Sequence, residues 1–251
     1  MDTQTLDKPF LAIDSSLKGV SVGLFGPKQE DGTFPLWQHR VCHDTYGSSQ
    51  YLPIGTSECL EAENLTLSDL GGIFVSHGPG SFTGIKIGIA FCQGLLKGLD
   101  SAKKEKPKAV GFSSLMALRA IKSEYDAIAL GATKTAGYLL ASFDGTLLHG
   151  VLSSSKEGAY ACHVDGQRVF PFEKKGLKVC FPLAFESFER FVEQEGSEVV
   201  RREYSEVSLE ILKGLVVLGA GALEAEGSVF GKLAPQYYRK SAAEERLGEK
   251  S

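Results

Sequence analysis

The chain has 251 residues, 43% hydrophobic and 23% charged, with 27 Lys and Arg against 31 Asp and Glu and a net charge of −4. That is the make-up of a globular protein with ample core, and it argues against a disordered chain or one that holds nucleic acid by itself, since phosphate neutralisation needs clustered cations. The cysteines (Cys42, Cys59, Cys92, Cys162, Cys180) are odd in number and lack a C-x-x-C, which suggests neither a disulfide framework nor a zinc knuckle and fits a reducing cytoplasm.

The start, MDTQTLDKPF, has no apolar stretch of the secretion-signal kind, and no later run is long and uncharged enough to span a bilayer. FLAID, the polar turn SSLKG and VSVGLF predict a β-hairpin over residues 10–25. Asp14 ends its first arm and is followed by Ser15 and Ser16. On its own chemistry a carboxylate there turns the chain by bonding its own backbone.

PLWQHRVCH predicts a third strand. His39 and His43 stand at the H-x-x-x-H spacing of a metal pair, but that spacing shares a face only on a helix. Along a strand the two side chains lie about 13 Å apart, at roughly 3.3 Å per residue, so no metal site is expected. SSQYLPIGTSECLEA, residues 48–62, carries an imperfect helical pattern interrupted by Pro53 and Gly55.

In IFVSHGPGSFTGIKIGIAFCQGLLKGL, a β-branched run breaks into Gly78, Pro79 and Gly80 before a long apolar segment, which predicts strand, tight loop and helix. Ser81 and Thr83 are candidate caps, and glycines at a helix N-terminus let amides face an anion, so Asp14, Gly78, Gly80, Ser81 and Thr83 form a candidate anion or nucleotide loop. The loop is neither a Walker motif nor a dinucleotide fingerprint, and a plain turn without a ligand remains open. At about 100° per residue, Gly84, Gly88, Gly94 and Gly98 fall on one side of the helix with Ile87, Phe91 and Leu95, and Lys86, Gln93 and Lys97 fall opposite. Each glycine weakens a helix by about 1 kcal/mol relative to alanine. Four of them predict close approach of a second backbone, either within the chain or across a subunit interface.

DSAKKEKPK reads as a charged connector, and AVGFSSLMALRAI as a short strand and a capped helix. The next block, residues 126–154, predicts strands with a turn at Asp144 and Gly145, and Ala161 to Phe170 a hairpin around Asp165 and Gly166. PLAFESFERFVEQEG predicts an amphipathic helix burying Phe185, Phe188, Phe191 and Val192. LEILKGLVVLGAGALEAEG contains G-x-G, yet Leu209, Leu212, Leu215, Val216, Gly219, Ala222 and Leu223 recur at helical spacing and predict a helix instead of a dinucleotide loop. The end, AAEERLGEKS, is expected to fray. No internal sequence repeat is visible. Two blocks of strands and helices predict α/β lobes, with a boundary near residue 112: an N-terminal lobe, 1–112, and a C-terminal lobe with its tail, 113–251, whose late helix can fold back onto the first.

Three blocks together, FLAIDSSLKGVSVGLF, GPGSFTGIKIGIAFCQGL and LAPQYYRKSAAE, resemble the TsaB (YeaZ) family, whose members take part in making threonylcarbamoyladenosine in transfer RNA. The resemblance implies a shortened two-lobed actin-like ATPase or sugar-kinase fold, in which Asp14 corresponds to an aspartate of the first phosphate loop. It implies a noncatalytic scaffold that binds the TsaD paralogue, with TsaE as a further partner, a homodimer when the chain is alone, and tRNA reached only through the complex. Gly84, Ile87, Gly88, Phe91 and Leu95 would form the partner and dimer surface together with the helix of residues 48–62. No catalytic residue, metal or tightly bound cofactor is implied, and ATP or ADP would sit at a subunit junction.

The chain also departs from the family pattern. Gly47 and Ser48 stand where relatives start the helix with His-Ser, and Gly131, Ala132, Thr133, Lys134 and Tyr138 stand where an Asp-Ala-Arg motif and a Glu are usual. The alternative of another class is a stand-alone ATP-dependent enzyme or a metallopeptidase. It lacks a ligand-spaced His pair, a Ser-His-Asp set and a second phosphate loop in the sequence.

Overall fold

The computed structural model describes residues 5–121 apart from 18, 43–47 and 79, the backbone of the strands between 127 and 201, and residues 204–225 and 233–235. Strand β1 (Phe10–Asp14) is buried at every position. Phe10 and Ala12 point into one apolar cluster and Leu11 and Ile13 into another, which makes β1 a central strand of a sheet covered on both faces.

Around it lie β2 (Val20–Phe25), β3 (Leu36–Cys42), β4 (Gly72–Ser76) and β5 (Lys108–Phe112), in the order β3-β2-β1-β4-β5. The β1–β2 and β2–β3 pairs are antiparallel, and β1–β4 and β4–β5 are parallel. The predicted hairpin and third strand are both present. Helices α1 (Ser48–Ala62) and α2 (Phe82–Ser101) contribute Leu52, Cys59, Leu60, Ile85, Ile89 and Cys92 to the cluster on one face. On the other face, α3 (Ser114–Ile121) and α4 (Tyr204–Glu224) bury Leu115, Leu118, Val207, Ile211, Leu212, Leu215 and Val216 against Phe10, Phe25 and Phe74. Each such aliphatic side chain contributes about 1.5–3 kcal/mol on full burial.

The late G-x-G stretch is therefore helical, and its helix lies on the first sheet. Gly214 permits the crossing with α3, since a Cβ there would stand 1.9 Å from the Ala117 carbonyl oxygen.

The second sheet holds β6 (Ala127–Thr133), β7 (Ala136–Phe143), β8 (Thr146–Ser154), β9 (Tyr160–Val164), β10 (Gln167–Val169), β11 (Lys178–Phe181) and β12 (Glu198–Arg201), in the order β10-β9-β8-β7-β6-β11-β12. Its segment β8-β7-β6-β11-β12 repeats the plan of the first sheet: two antiparallel pairs, then two parallel ones. Two sheets of one plan form the duplicated frame expected of the actin-like ATPase and sugar-kinase class. The duplication lies in strand order and not in residue identity, which is why no sequence repeat announced it. The turns at Asp144–Gly145 and Asp165–Gly166, and the predicted helix over 182–196, lie outside the described residues.

Candidate functional site

Parallel pairing of β1 with β4 sets Ile13 beside Val75, so the ends of the two strands bring Asp14 and Ser76 together. Asp14 is fully buried. Its Oδ1 accepts from the Ser16 amide at 3.1 Å, from the Ser16 hydroxyl at 2.7 Å and from the Ser76 hydroxyl. The amide bond two residues on is the backbone-turning role of an aspartate. Its Oδ2, also buried, has no hydrogen-bond partner among the described residues. Burial pushes the Asp14 carboxyl above the ordinary aspartate range, against the opposing effect of the Ser16 and Ser76 hydrogen bonds.

The turn after β1 then seats the start of α2. The Ser81 amide donates to the Ser16 carbonyl at 2.6 Å, and the Ser15 hydroxyl donates to the Gly84 carbonyl at 2.9 Å. Ser81 caps the helix by accepting from the Gly84 amide at 3.2 Å. Thr83, the other candidate cap, is exposed. Gly78 has φ 110°, a conformation that side chains rarely adopt, and its carbonyl accepts from the Ser114 amide at 2.9 Å. A Cβ at Gly80 would lie 1.9 Å from the Ser16 carbonyl oxygen. Asp14, Gly80 and Ser81 are thus brought together around Ser16, Gly78 is tied instead to Ser114, and the Ser81 and Gly84 amides are already used within the chain. Ser15, Ser16 and Ser76 complete the cluster. Ser15 and Ser16 stand out in the sequence as the hydroxyl pair after Asp14, whereas Ser76 is marked only by its place at the end of the adjacent strand, which depends on the sheet order.

Gly84 and Gly88 correct the interface expectation. Both are buried, and a Cβ on them would stand 2.0 Å from the Ser15 carbonyl oxygen and 2.3 Å from the Ser15 Oγ. The close approach they permit is to this chain's own turn. Gly94 and Gly98, by contrast, have no described residue against them: among the described residues a Cβ there would meet nothing within 4 Å. Ile87, Phe91 and Leu95 pack partly against the core and stay partly exposed. Lys86, Gln93 and Lys97 are exposed as expected, with Lys86 3.9 Å from the Phe82 ring centroid. On α1, Ile54 is 51% exposed.

Leu233 packs against the cluster beneath α2, and its carbonyl accepts from the Gln93 side chain at 2.9 Å, so a short piece of the tail lies along this helix. His39 pairs with Ser21, Nε2 to Oγ 2.9 Å. Burial, reinforced by Arg40 and Lys213, holds its imidazole below the usual histidine range. Among the described residues no group of three or more His, Cys, Asp or Glu is placed to hold a metal ion, and no helix is long and apolar enough to cross a membrane.

A family model described as TsaD, tRNA N6-adenosine threonylcarbamoyltransferase, matches residues 48–124, from α1 to just beyond α3. The tRNA threonylcarbamoyladenosine biosynthesis protein TsaB of Escherichia coli (strain K12) is 33% identical over 108 residues, which are 43% of this chain and 41% of that protein. Among solved structures, YeaZ from Pseudomonas aeruginosa superposes with a TM-score of 0.58 at 17% identity, over 92% of this chain and 99% of the other. A second one, from Pseudomonas aeruginosa and described as an uncharacterized protein with similarity to peptidase YeaZ, gives 0.58 at 18%, over 92% and 100%. At these identities the structural likeness establishes a shared fold across nearly the whole chain.

Proposed function

We propose that the chain is a protein of the TsaB (YeaZ) kind, a noncatalytic scaffold subunit in threonylcarbamoyl modification of tRNA that acts by binding and activating the TsaD paralogue, a reading supported by its likeness to TsaB and YeaZ. TsaE is the further partner, tRNA is reached through the complex, and a homodimer forms when the chain is alone. The observation that carries this reading is the outward side of α2. There Gly94 and Gly98 leave the helix backbone open beside the partly exposed Ile87, Phe91 and Leu95, on the same face of the sheet as Ile54 of α1. Small residues beside apolar ones let a second helix approach closely, and burial of that apolar surface drives association.

ATP or ADP, in this reading, binds where the partner completes a site. The α2 amides of Ser81 and Gly84 are consumed within the chain, which supports a junction site over one inside it. Co-purification from native cells tests the scaffold. Tagged wild-type chain should recover the paralogue and Gly94→Leu should lose it while keeping its cooperative melt. Recovery of the paralogue by Gly94→Leu at the wild-type level would refute this surface.

A further inference from the structure

Among the described residues Asp14 has no charged side chain as a partner. Its surroundings are hydroxyls and main chain: Ser15 and Ser16 in its own turn, Ser76 at the end of β4, and the Ser81–Gly84 start of α2. Next along β4, His77 lies with its ring over Gly111, 3.0 Å from where a Cβ would be, and Lys86 of α2 sits on the Phe82 ring. No charged side chain is among the causes that act on Asp14. An ionised carboxylate would leave an anionic Oδ2 buried without a hydrogen bond from any described residue, which costs far more than burying a neutral acid. The three donors on Oδ1 favour the ionised form and oppose this cost, and burial outweighs them.

We propose that Asp14 keeps its proton at pH values where exposed aspartates have lost theirs and, in that neutral form, works as a structural latch, tying the turn after β1 to the end of β4 and, through Ser15 and Ser16, seating the N-terminus of α2. The latch does not depend on which partner α2 meets. Its role is conformational: the helix proposed to carry the docking surface starts on a turn held by a neutral acid. Ionising that acid loosens the seat.

Linkage gives the sign. A carboxyl whose folded-state pKa is raised contributes stability that is complete below the ordinary aspartate value of about 3.9, and that stability is lost as pH rises through the raised value. The test is a carbon NMR titration of the Asp14 Cγ in the full chain, assigned by its absence from Asp14→Asn. Asp14 should remain protonated while exposed aspartates ionise near about 3.9, and titrate only above them. Ser76→Ala, which removes a donor that favours the ionised form, should move that titration further up. Melting against pH should show a loss in the wild type from about 3.9 up through Asp14's raised value that Asp14→Asn, neutral throughout, does not show. If Asp14→Asn fails to fold, assignment through the backbone of the wild type leaves the titration itself to decide. A Cγ signal that titrates with the exposed aspartates, or a Ser76→Ala variant that leaves it unmoved, overturns the proposal.

Discussion

Gly88 of α2 lies directly against Ser15, so close that a Cβ at position 88 would stand 2.3 Å from the serine Oγ. This contact, together with Gly84 over the Ser15 carbonyl, fixes how α2 is rotated on the sheet and therefore which of its residues remain outside.

The two pairs of glycines in α2 should respond oppositely to alanine. Gly88→Ala should lose about 1–3 kcal/mol, the usual cost of overpacking. Gly94→Ala, open to solvent, should gain up to about 1 kcal/mol of helix propensity. Urea denaturation of the two variants measures both. Equal responses would contradict the rotation of α2.

Periodicity placed the four glycines on one side of a helix, and that was correct as far as it went. The arc they span is wide. Its edge at Gly84 and Gly88 is buried next to Ile85, Ile89 and Cys92, whereas its edge at Gly94 and Gly98 is not. Which edge turns inward is decided by the Ser15–Ser16 turn, about seventy residues earlier, and no local pattern carries that information.

Elements whose own residues specify them were legible: the hairpin of β1 and β2, the strand β3, α2 after its glycine loop, and α4 through its apolar spacing despite G-x-G. Helix α1 formed over the predicted span although it contains Pro53. The Asp14 cluster was only half legible. The turn-forming aspartate was one of two readings, while Ser76 joins it through parallel pairing of strands far apart in the chain.

The α3–α4 crossing gives a second stability test. Gly214→Ala should destabilise the protein by about 1–3 kcal/mol, because the new methyl would press on the Ala117 backbone, which has little room to move. Gly221→Ala, on the same helix but facing open space, should be neutral or mildly stabilising. Thermal melts of the pair check this, and a tolerated Gly214→Ala would mean that α4 does not seat against α3 as described.

Thiol reactivity should sort by burial. Burial pushes the Cys59 thiol up to about 11, and Cys92 up to about 12, so neither is a thiolate near neutral pH. Cys42 is only partly buried. Brief alkylation of native protein, read by mass spectrometry, should label Cys42 well before Cys59 or Cys92, and denaturant should abolish the difference. Rapid native labelling of Cys92 would show that α2 lifts from the sheet.

A noncatalytic scaffold, as proposed, is necessary for the modification but chemically passive. A reconstituted assay tests it most directly, with TsaD, TsaE, tRNA, ATP and preformed threonylcarbamoyl-adenylate. Omitting this chain should stop product formation, adding it back should restore it, and the chain alone should turn over nothing. Full product without the chain, or robust ATP hydrolysis or peptide cleavage by the chain alone, would contradict it.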